Sequence, residues 1–195
     1  MIEEIDWIDW LKDDAHDPGG KVRINVPSEI ASEAIFSPCR QYRYLLHRRW
    51  TEEPDRSLMF IMANPSTADI LIDDPTVRKC RVYAARWGYN HLIIGNVMAY
   101  RATDPSLLRG IDDPVGPDNL HHLRETLTAY QPKVICAWGA IPARLRSVDR
   151  QVIDLLRDLA VTPSVLHLNS SGSPTHPLYL PLDIEPQAWN LTAIQ

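Results

Sequence analysis

The chain has 195 residues, of which 45% are apolar, and this is enough for the core of one globular domain. No apolar run is long enough to span a bilayer, and the acidic N-terminus is unlike a secretory signal, which is basic and then apolar. The net charge of −5 is concentrated in residues 1–17, which carry −6, so the nearly neutral remainder neither indicates nor excludes a nucleic-acid ligand.

The three cysteines, Cys39, Cys80 and Cys136, are far apart and include no C-x-x-C pair. This spacing argues against a zinc ribbon and against a disulfide scaffold, and it is typical of a reducing compartment. We therefore expect a cytoplasmic protein that has no membrane partner and uses neither a metal ion nor a cofactor.

The first predicted element is an acidic amphipathic helix over residues 3–12, where apolar residues recur at helical spacing. A lone helix cannot bury Trp7 and Trp10, so we expect residues 1–17 to dock on the body or to form a homo-oligomer with a second copy. Residues 18–195 are predicted to form a single α/β domain. Its first part contains three segments with strand character and is predicted to be a β-rich N-terminal flank.

The rest of the chain alternates between strands and helices. Strands are predicted at residues 57–62, 91–100, 132–139 and 164–169, and helices at 75–87, 117–130 and 141–160. Asp74 and Pro75 form the start of the first helix, because Asp74 can accept from free backbone N–H groups and proline fits the first helical position. The alternation predicts a three-layer α/β/α fold with a central, mainly parallel four-stranded sheet.

In such folds ligands bind beyond the carboxyl ends of the strands, so the residues that follow each strand are the candidates for a site. These segments are Asn64-Pro65-Ser66-Thr67, Asn96 with Tyr100-Arg101, Trp138-Gly139-Ala140, and His176-Pro177. We predict that their asparagine, arginine and histidine side chains converge on one cleft. The helix beginning at Asp74-Pro75-Thr76 should border that cleft, and its N-terminal dipole favours an anionic group.

Several of these residues also have a purely structural interpretation. Asn64 can cap its turn, and Asn96 can satisfy backbone groups at a strand end. Asp73 and Asp74 are interpreted as the start of a helix in preference to a magnesium site. His176 is the hardest to explain structurally, because it lies on a loop between two prolines.

Residues 40–50 combine basic and aromatic side chains. These are Arg40, Arg43, Arg48 and Arg49 with Tyr42, Tyr44 and Trp50. Such a cluster is usually a solvated face, but alternating aromatic and basic residues also hold single-stranded nucleic acid. Both interpretations stay open at the level of sequence.

Four segments occur in order within about residues 31–181, namely LMFIMANPSTADILIDDPTVRKC, RWGYNHLIIGNVMAYRATDP, VICAWGA and THPLYLP. Together they resemble the uncharacterised family called domain of unknown function 1643. This resemblance implies no reaction, because no activity is established for that family.

The chain more distantly resembles the uracil-DNA glycosylase superfamily. The similar features are a strand ending in Asn64-Pro65, a strand bearing Asn96, an apolar strand ending near Gly139, and a late His176-Pro177 turn. This resemblance implies a uracil-DNA glycosylase-like fold and site. In that site Asn64 positions water, Asn96 reads the base edge and His176 stabilises the departing base.

Cleavage of an N-glycosidic bond leaves negative charge on the base, which a hydrogen-bond donor in a dry pocket stabilises. A loop histidine can donate to the base oxygen, and an asparagine matches the amide-like edge of uracil. An asparagine can orient the attacking water but cannot take its proton, so the reaction should be slow.

The leading hypothesis is a glycosylase-like hydrolase acting on a base in nucleic acid or in a nucleotide. The alternatives are a non-catalytic nucleotide or nucleic-acid binding module, and a small-molecule hydrolase on the same fold. The predicted catalytic residues are Asn64 and His176. The predicted substrate-binding residues are Pro65, Ser66, Thr67, Asp74, Thr76, Asn96, Tyr100, Arg101 and Pro177.

Overall fold

The structure, a computed structural model, describes residues 23–51, 56–141 and 145–191. The predicted acidic helix, with its role in docking or in a homo-oligomer, lies outside these ranges. Within them, each helix is too short or too polar to cross a lipid bilayer.

The described chain forms nine β-strands and three α-helices. The strands are β1 (Ile24–Asn25), β2 (Ala31–Phe36), β3 (Arg43–Arg49), β4 (Ser57–Met62), β5 (Ile72–Asp73), β6 (His91–Asn96), β7 (Lys133–Cys136), β8 (Ser164–Val165) and β9 (Gln187–Ala188). The helices are α1 (Pro75–Arg86), α2 (Asn119–Tyr130) and α3 (Arg146–Asp158), and 3-10 turns lie at Pro105–Gly110 and Pro177–Tyr179.

Seven of the strands form one mixed sheet in the order β2-β3-β6-β4-β7-β8-β9. The central strands β6, β4, β7 and β8 are parallel, as the strand–helix alternation predicts. Strands β2, β3 and β9 pair antiparallel with their neighbours. The mixed α/β class is therefore confirmed, but the predicted four strands are the centre of a wider sheet, because β3 pairs directly with β6 and does not belong to a separate flank.

The central strand β4 is buried on both faces, and its alternate side chains enter two different parts of the core. Met59 and Ile61 pack in a cluster with side chains of α2 and α3. Leu58 and Phe60 pack in a second cluster with side chains of α1. The near-continuous apolar sequence of β4 is the pattern expected of a parallel strand covered by helices on both faces.

Helix α1 begins and ends as predicted. The Asp74 side chain accepts a hydrogen bond from the Val77 backbone N–H at 2.9 Å, and Pro75 occupies the first turn. Gly88 follows the helix with a φ of +73°, a left-handed conformation that favours glycine. The interpretation of Asp74 as a helix start is therefore confirmed.

The last predicted parallel strand is shorter than residues 164–169, because the chain turns back soon after β8. The Asn169 side-chain oxygen accepts from the backbone N–H groups of Ser171 and Ser173 at 3.0 and 3.1 Å. The Thr175 backbone N–H then donates to the carbonyl of His167 at 2.8 Å. This hairpin-like loop returns the chain to the end of β7, where His176 follows.

Two arginines of β3 are buried, so neither interpretation of the basic cluster, solvated face or nucleic-acid surface, holds for Arg43 and Arg48. The Arg43 guanidinium donates to the backbone carbonyl of Ala68. Arg48 donates to the carbonyls of Asp69 and Ile72. Both side chains therefore hold the loop that connects β4 to α1.

The carboxylate of Asp73 completes this anchor. Its Oδ1 lies 2.9 Å from Nη2 of Arg48, and its Oδ2 lies 2.7 Å from Nη1 of Arg81 on α1. All three side chains are buried, so each charge depends on the others for the hydrogen bonds that water would otherwise provide. Strand β3, the loop and α1 are joined at this one carboxylate.

We expect Asp73→Asn to lower the free energy of unfolding by about 3 kcal/mol or more, because it leaves two buried guanidinium groups without their shared counter-charge. Urea unfolding monitored by circular dichroism measures this change. Asp154→Asn is the matched control: it removes the exposed Asp154–Arg157 pair and should cost less than about 1 kcal/mol. Equal losses in the two variants would contradict the anchoring role of Asp73.

Candidate functional site

A cavity of about 360 Å³ opens beyond the carboxyl ends of β4 and β7, and we call it the rim pocket. Its polar lining consists of Arg43, Asn64, Ser66, Asp74, Thr76, Thr103 and His176, and its main apolar walls are Met62, Met98, Leu108, Trp138, Ile141 and Tyr179. Strands β4 and β7 are neighbours in the sheet. After β4 the chain crosses to β6 on one side of this pair, and after β7 it crosses to β8 on the other side. A reversal of this kind leaves a crevice between the two loops, which is where ligands bind in open α/β sheets.

A larger cavity of about 440 Å³ lies near the start of β7, between the ends of α2 and α3. Lys133 supplies the only ionisable side chain in its lining. The rim pocket combines a histidine, a carboxylate, an arginine and an asparagine, so it is the stronger candidate for chemistry.

The amide of Asn64 is held in a fixed orientation. Its Nδ2 donates to the carbonyl of Pro65 at 3.0 Å and to the carbonyl of Ala102 at 2.8 Å. Both partners can only accept, so this atom must be the amide nitrogen, and Oδ1 is left as a hydrogen-bond acceptor. The same side chain therefore caps its turn and lines the pocket.

His176 begins the 3-10 turn at Pro177–Tyr179, and its Nδ1 accepts from the Leu178 backbone N–H at 3.4 Å. Burial, and then the nearby Lys79 ammonium, lower the pKa of His176 to about 4. The imidazole is therefore neutral at neutral pH. Because Nδ1 accepts, the proton of the neutral ring is on Nε2, which is left as a donor for a ligand.

Gly139 supplies the left-handed turn that joins the loop after β7 to the His176 loop. Its backbone N–H donates to the carbonyl of Pro174 at 2.7 Å, and its φ is +73°. A Cβ atom at this position would lie 3.6 Å from the Cβ of His176, and the left-handed backbone would be strained for any residue with a side chain.

The pocket also contains one carboxylate and one guanidinium. Asp74 Oδ1 is committed to the Val77 N–H, which leaves Oδ2 for a ligand. Burial lowers the pKa of Arg43 to about 10, although the nearby carboxylate of Asp74 acts in the opposite direction. Arg43 thus stays protonated at neutral pH, and its charge favours an anion in the pocket.

The predicted site residues other than Asn96 fall into three groups. Asn64, Ser66, Asp74, Thr76 and His176 line the rim pocket. Thr67, Tyr100 and Arg101, again with Ser66, line a neighbouring groove. Pro65 and Pro177 are buried in their turns, and neither cavity includes them.

The structure does not bring Asn96 into the same cleft as Asn64 and His176. Its side chain is 0% exposed, and neither amide atom has a hydrogen-bond partner among the described residues. Its backbone carbonyl accepts from Nδ2 of Asn119 at 2.9 Å, which ties the start of α2 to the end of β6. A ligand seated in the rim pocket would not contact the Asn96 amide.

Some residues of the lining are not predicted from the sequence. The largest are Arg43, Met98, Leu108 and Tyr179. Trp138 belongs to one of the strand-end segments that the sequence singles out, and it lines the pocket. The place of Arg43 in the lining could not be predicted, because it depends on the antiparallel pairing of β3 with β6.

A metal centre has no support in the part of the chain that the structure describes, because no three His, Cys, Asp or Glu side chains there are grouped to hold an ion. The groups that the rim pocket offers are instead donors and acceptors for an organic ligand: a neutral imidazole, an amide oxygen, a carboxylate and a guanidinium.

Residues 43–178 match the model of a family described as "Protein of unknown function (DUF1643)". The matched range begins at Arg43 and extends beyond His176, so it contains the whole polar lining of the rim pocket. No curated protein matches the chain.

We expect the imidazole of His176 to titrate with a midpoint near pH 4, well below the value of about 6.5 for an exposed histidine. Nitrogen-detected NMR should also find the neutral ring protonated on Nε2. Lys79→Gln removes the neighbouring charge and should raise the midpoint, since that charge disfavours the imidazolium. A wild-type midpoint near 6.5, or a proton on Nδ1, would contradict this description of the site.

Proposed function

The chain belongs to the DUF1643 family, and we propose that its rim pocket holds a nucleobase and cleaves the N-glycosidic bond of a nucleotide unit. The observation that carries this proposal is a neutral histidine whose Nε2–H is left for a ligand in a pocket at the carboxyl end of a parallel sheet. The order of motifs, which distantly resembles that of uracil-DNA glycosylases, supports the same assignment by analogy.

Size and shape support a base as the ligand. A volume of about 360 Å³ is at the lower end of the range for small-molecule pockets, which suits one base with part of its sugar. Trp138 and the methionine side chains supply an apolar wall for the ring. Tyr179 lies at the mouth with its ring centroid 5.7 Å from that of His176, and it is 81% exposed, so a neighbouring base can stack on it.

His176 acts on the leaving group in this mechanism. Water attacks the anomeric carbon, and the electron pair of the breaking C–N bond passes to the base. The Nε2–H of His176 donates to a carbonyl oxygen of the base, where the negative charge gathers, and the protonated Arg43 favours that charge at longer range. A neutral imidazole donates this hydrogen bond without changing its own charge.

Asn64 and Asp74 act on the water and on the sugar. Oδ1 of Asn64 accepts a hydrogen bond from the water and orients it, and the released proton passes to solvent because an amide cannot hold it. The negative charge of the Asp74 carboxylate favours the positive charge that develops on the sugar ring as the C–N bond breaks. The lack of a strong base at the water makes a slow reaction the expected outcome.

A second candidate is a binding module that holds a nucleotide or a nucleic acid without cleaving it. One observation favours it: Asp74, the carboxylate of the pocket, already uses Oδ1 to cap α1. In this case His176 and Asn64 select the base edge by hydrogen bonding alone.

The thiols of Cys39, Cys80 and Cys136 are free, which suits a protein of the reducing cytoplasm under either candidate function.

We expect the purified protein to release free base slowly from single-stranded DNA containing uracil or a mismatched base, and His176→Ala to lower the rate about 100-fold or more. Chromatography of the released base measures this rate. His121→Ala is the matched control, since His121 is exposed on α2 and pairs with Glu125, far from the pocket.

The outcomes separate the candidates. Release that His176→Ala leaves unchanged would contradict the role of His176. Binding of the strand without release would favour the non-catalytic module. Neither binding nor release would overturn both candidates and would leave a small-molecule hydrolase as the interpretation to pursue.

A further inference from the structure

A second cavity of about 370 Å³ adjoins the rim pocket, and we call it the arginine groove. Its distinguishing side chains are Arg23, Arg40, Gln41, Thr67, Tyr100 and Arg101. The two cavities share Ser66, Ala102 and Thr103, so a single short wall separates them. A ligand whose base enters the rim pocket can extend into the groove.

The arginines of the groove are held in place by an aromatic ring and by backbone. The Cζ atoms of Arg40 and Arg101 lie 4.5 and 5.1 Å from the ring centroid of Phe36. Nη1 of Arg101 donates to the backbone carbonyl of Arg40 at 3.2 Å. Stacking on one ring therefore brings two guanidinium groups together at the groove.

Within the part of the chain that the structure describes, none of Arg23, Arg40 and Arg101 takes part in an ion pair with a carboxylate. This contrasts with Arg48 and Arg81, which share the buried carboxylate of Asp73. Guanidinium groups gathered without a counter-charge create a positive local potential, although the chain as a whole carries −5.

From this geometry we infer that the arginine groove binds the phosphate groups that flank the base in the rim pocket, so that the ligand is a single-stranded nucleic acid. The inference rests on the proposed function, because it takes the base site as given. Arginine is suited to phosphate, since its planar donors can contact two phosphate oxygens at once. Tyr100, which also lines the groove, offers a ring for a base next to the bound one.

A single strand fits better than a mononucleotide because the groove presents three arginines and an aromatic ring beside the pocket. A mononucleotide has one phosphate group and no neighbouring base, so it would use only part of this surface. A strand would place successive phosphates along the arginines and a neighbouring base on Tyr100.

The test uses the full-length protein and a fluorescent single strand of thymidines with one central deoxyuridine. Anisotropy titrations at several salt concentrations give both the affinity and its salt dependence. Arg40→Gln and Arg101→Gln should each weaken binding about fivefold or more and reduce the slope of log K against log[salt] by about 0.7, the value for one phosphate contact on a single strand. Arg124→Gln is the matched control, because Arg124 pairs with Asp158 on the surface of α2 and α3.

Two further probes define the ligand. Deoxyuridine monophosphate and inorganic phosphate should bind more weakly than the strand. Equal affinity of the mononucleotide and the strand would overturn the single-strand assignment. Urea unfolding shows whether each variant is folded. The side chain of Arg40 is exposed, so Arg40→Gln should stay folded and still tests the groove if Arg101→Gln is unstable.

The groove and the pocket can fail separately. The inference is overturned if Arg40→Gln and Arg101→Gln bind the strand with the same affinity and the same salt slope as Arg124→Gln. This holds even if the wild-type protein releases base from free deoxyuridine. If no substrate is cleaved but the two variants lose strand binding and salt dependence, the groove assignment holds and the glycosylase function does not.

Discussion

The rim pocket depends on the carboxylate of Asp73, which is enclosed between the guanidinium groups of Arg48 and Arg81. This contact fixes the loop between β4 and α1 at its far end, while Arg43 fixes the middle of the same loop through the carbonyl of Ala68. The large apolar side chains Ile70 and Leu71 of this loop are exposed, so their burial contributes little, and the buried charges hold the loop against β3 and α1. One wall of the pocket and the start of α1 follow from this arrangement.

The opposite wall depends on backbone contacts. The loop after β8 folds back because Asn169 caps its turn, and it is joined to the end of β7 by the hydrogen bond from Gly139 to Pro174. His176 is thereby brought opposite Asn64, although more than a hundred residues separate them in the chain. Hydrogen bonds to backbone groups orient both side chains, through Nδ1 of His176 and Nδ2 of Asn64. The free Nε2–H and the free Oδ1 are thus prepared for a ligand before it binds.

The sequence predicts those elements whose ends are defined by nearby residues. It does not predict features that depend on which strands pair in the sheet. Asp74-Pro75 and Gly88 define both ends of α1, and an unbroken apolar run defines β4. Asn64 and His176, which the rule of ligand binding at strand ends singles out, line one cavity together with Asp74 at the start of α1. The burial of Arg43 and Arg48 could not be predicted, because it follows from the antiparallel position of β3 beside β6. Asn96 is the last residue of β6, and its side chain is enclosed in the interior, a position that spacing along the sequence does not distinguish from the rim.

The central claim is that the Nε2–H of His176 donates to a base seated in the rim pocket. A crystal structure of the protein with uracil and a single strand carrying an abasic site, the products of the proposed reaction, tests it directly. The account predicts the ring against Trp138, with a carbonyl oxygen about 2.9 Å from Nε2, a normal hydrogen-bond distance, and the strand beside the pocket. A base bound elsewhere, or one in the pocket with no contact to His176, would contradict the account.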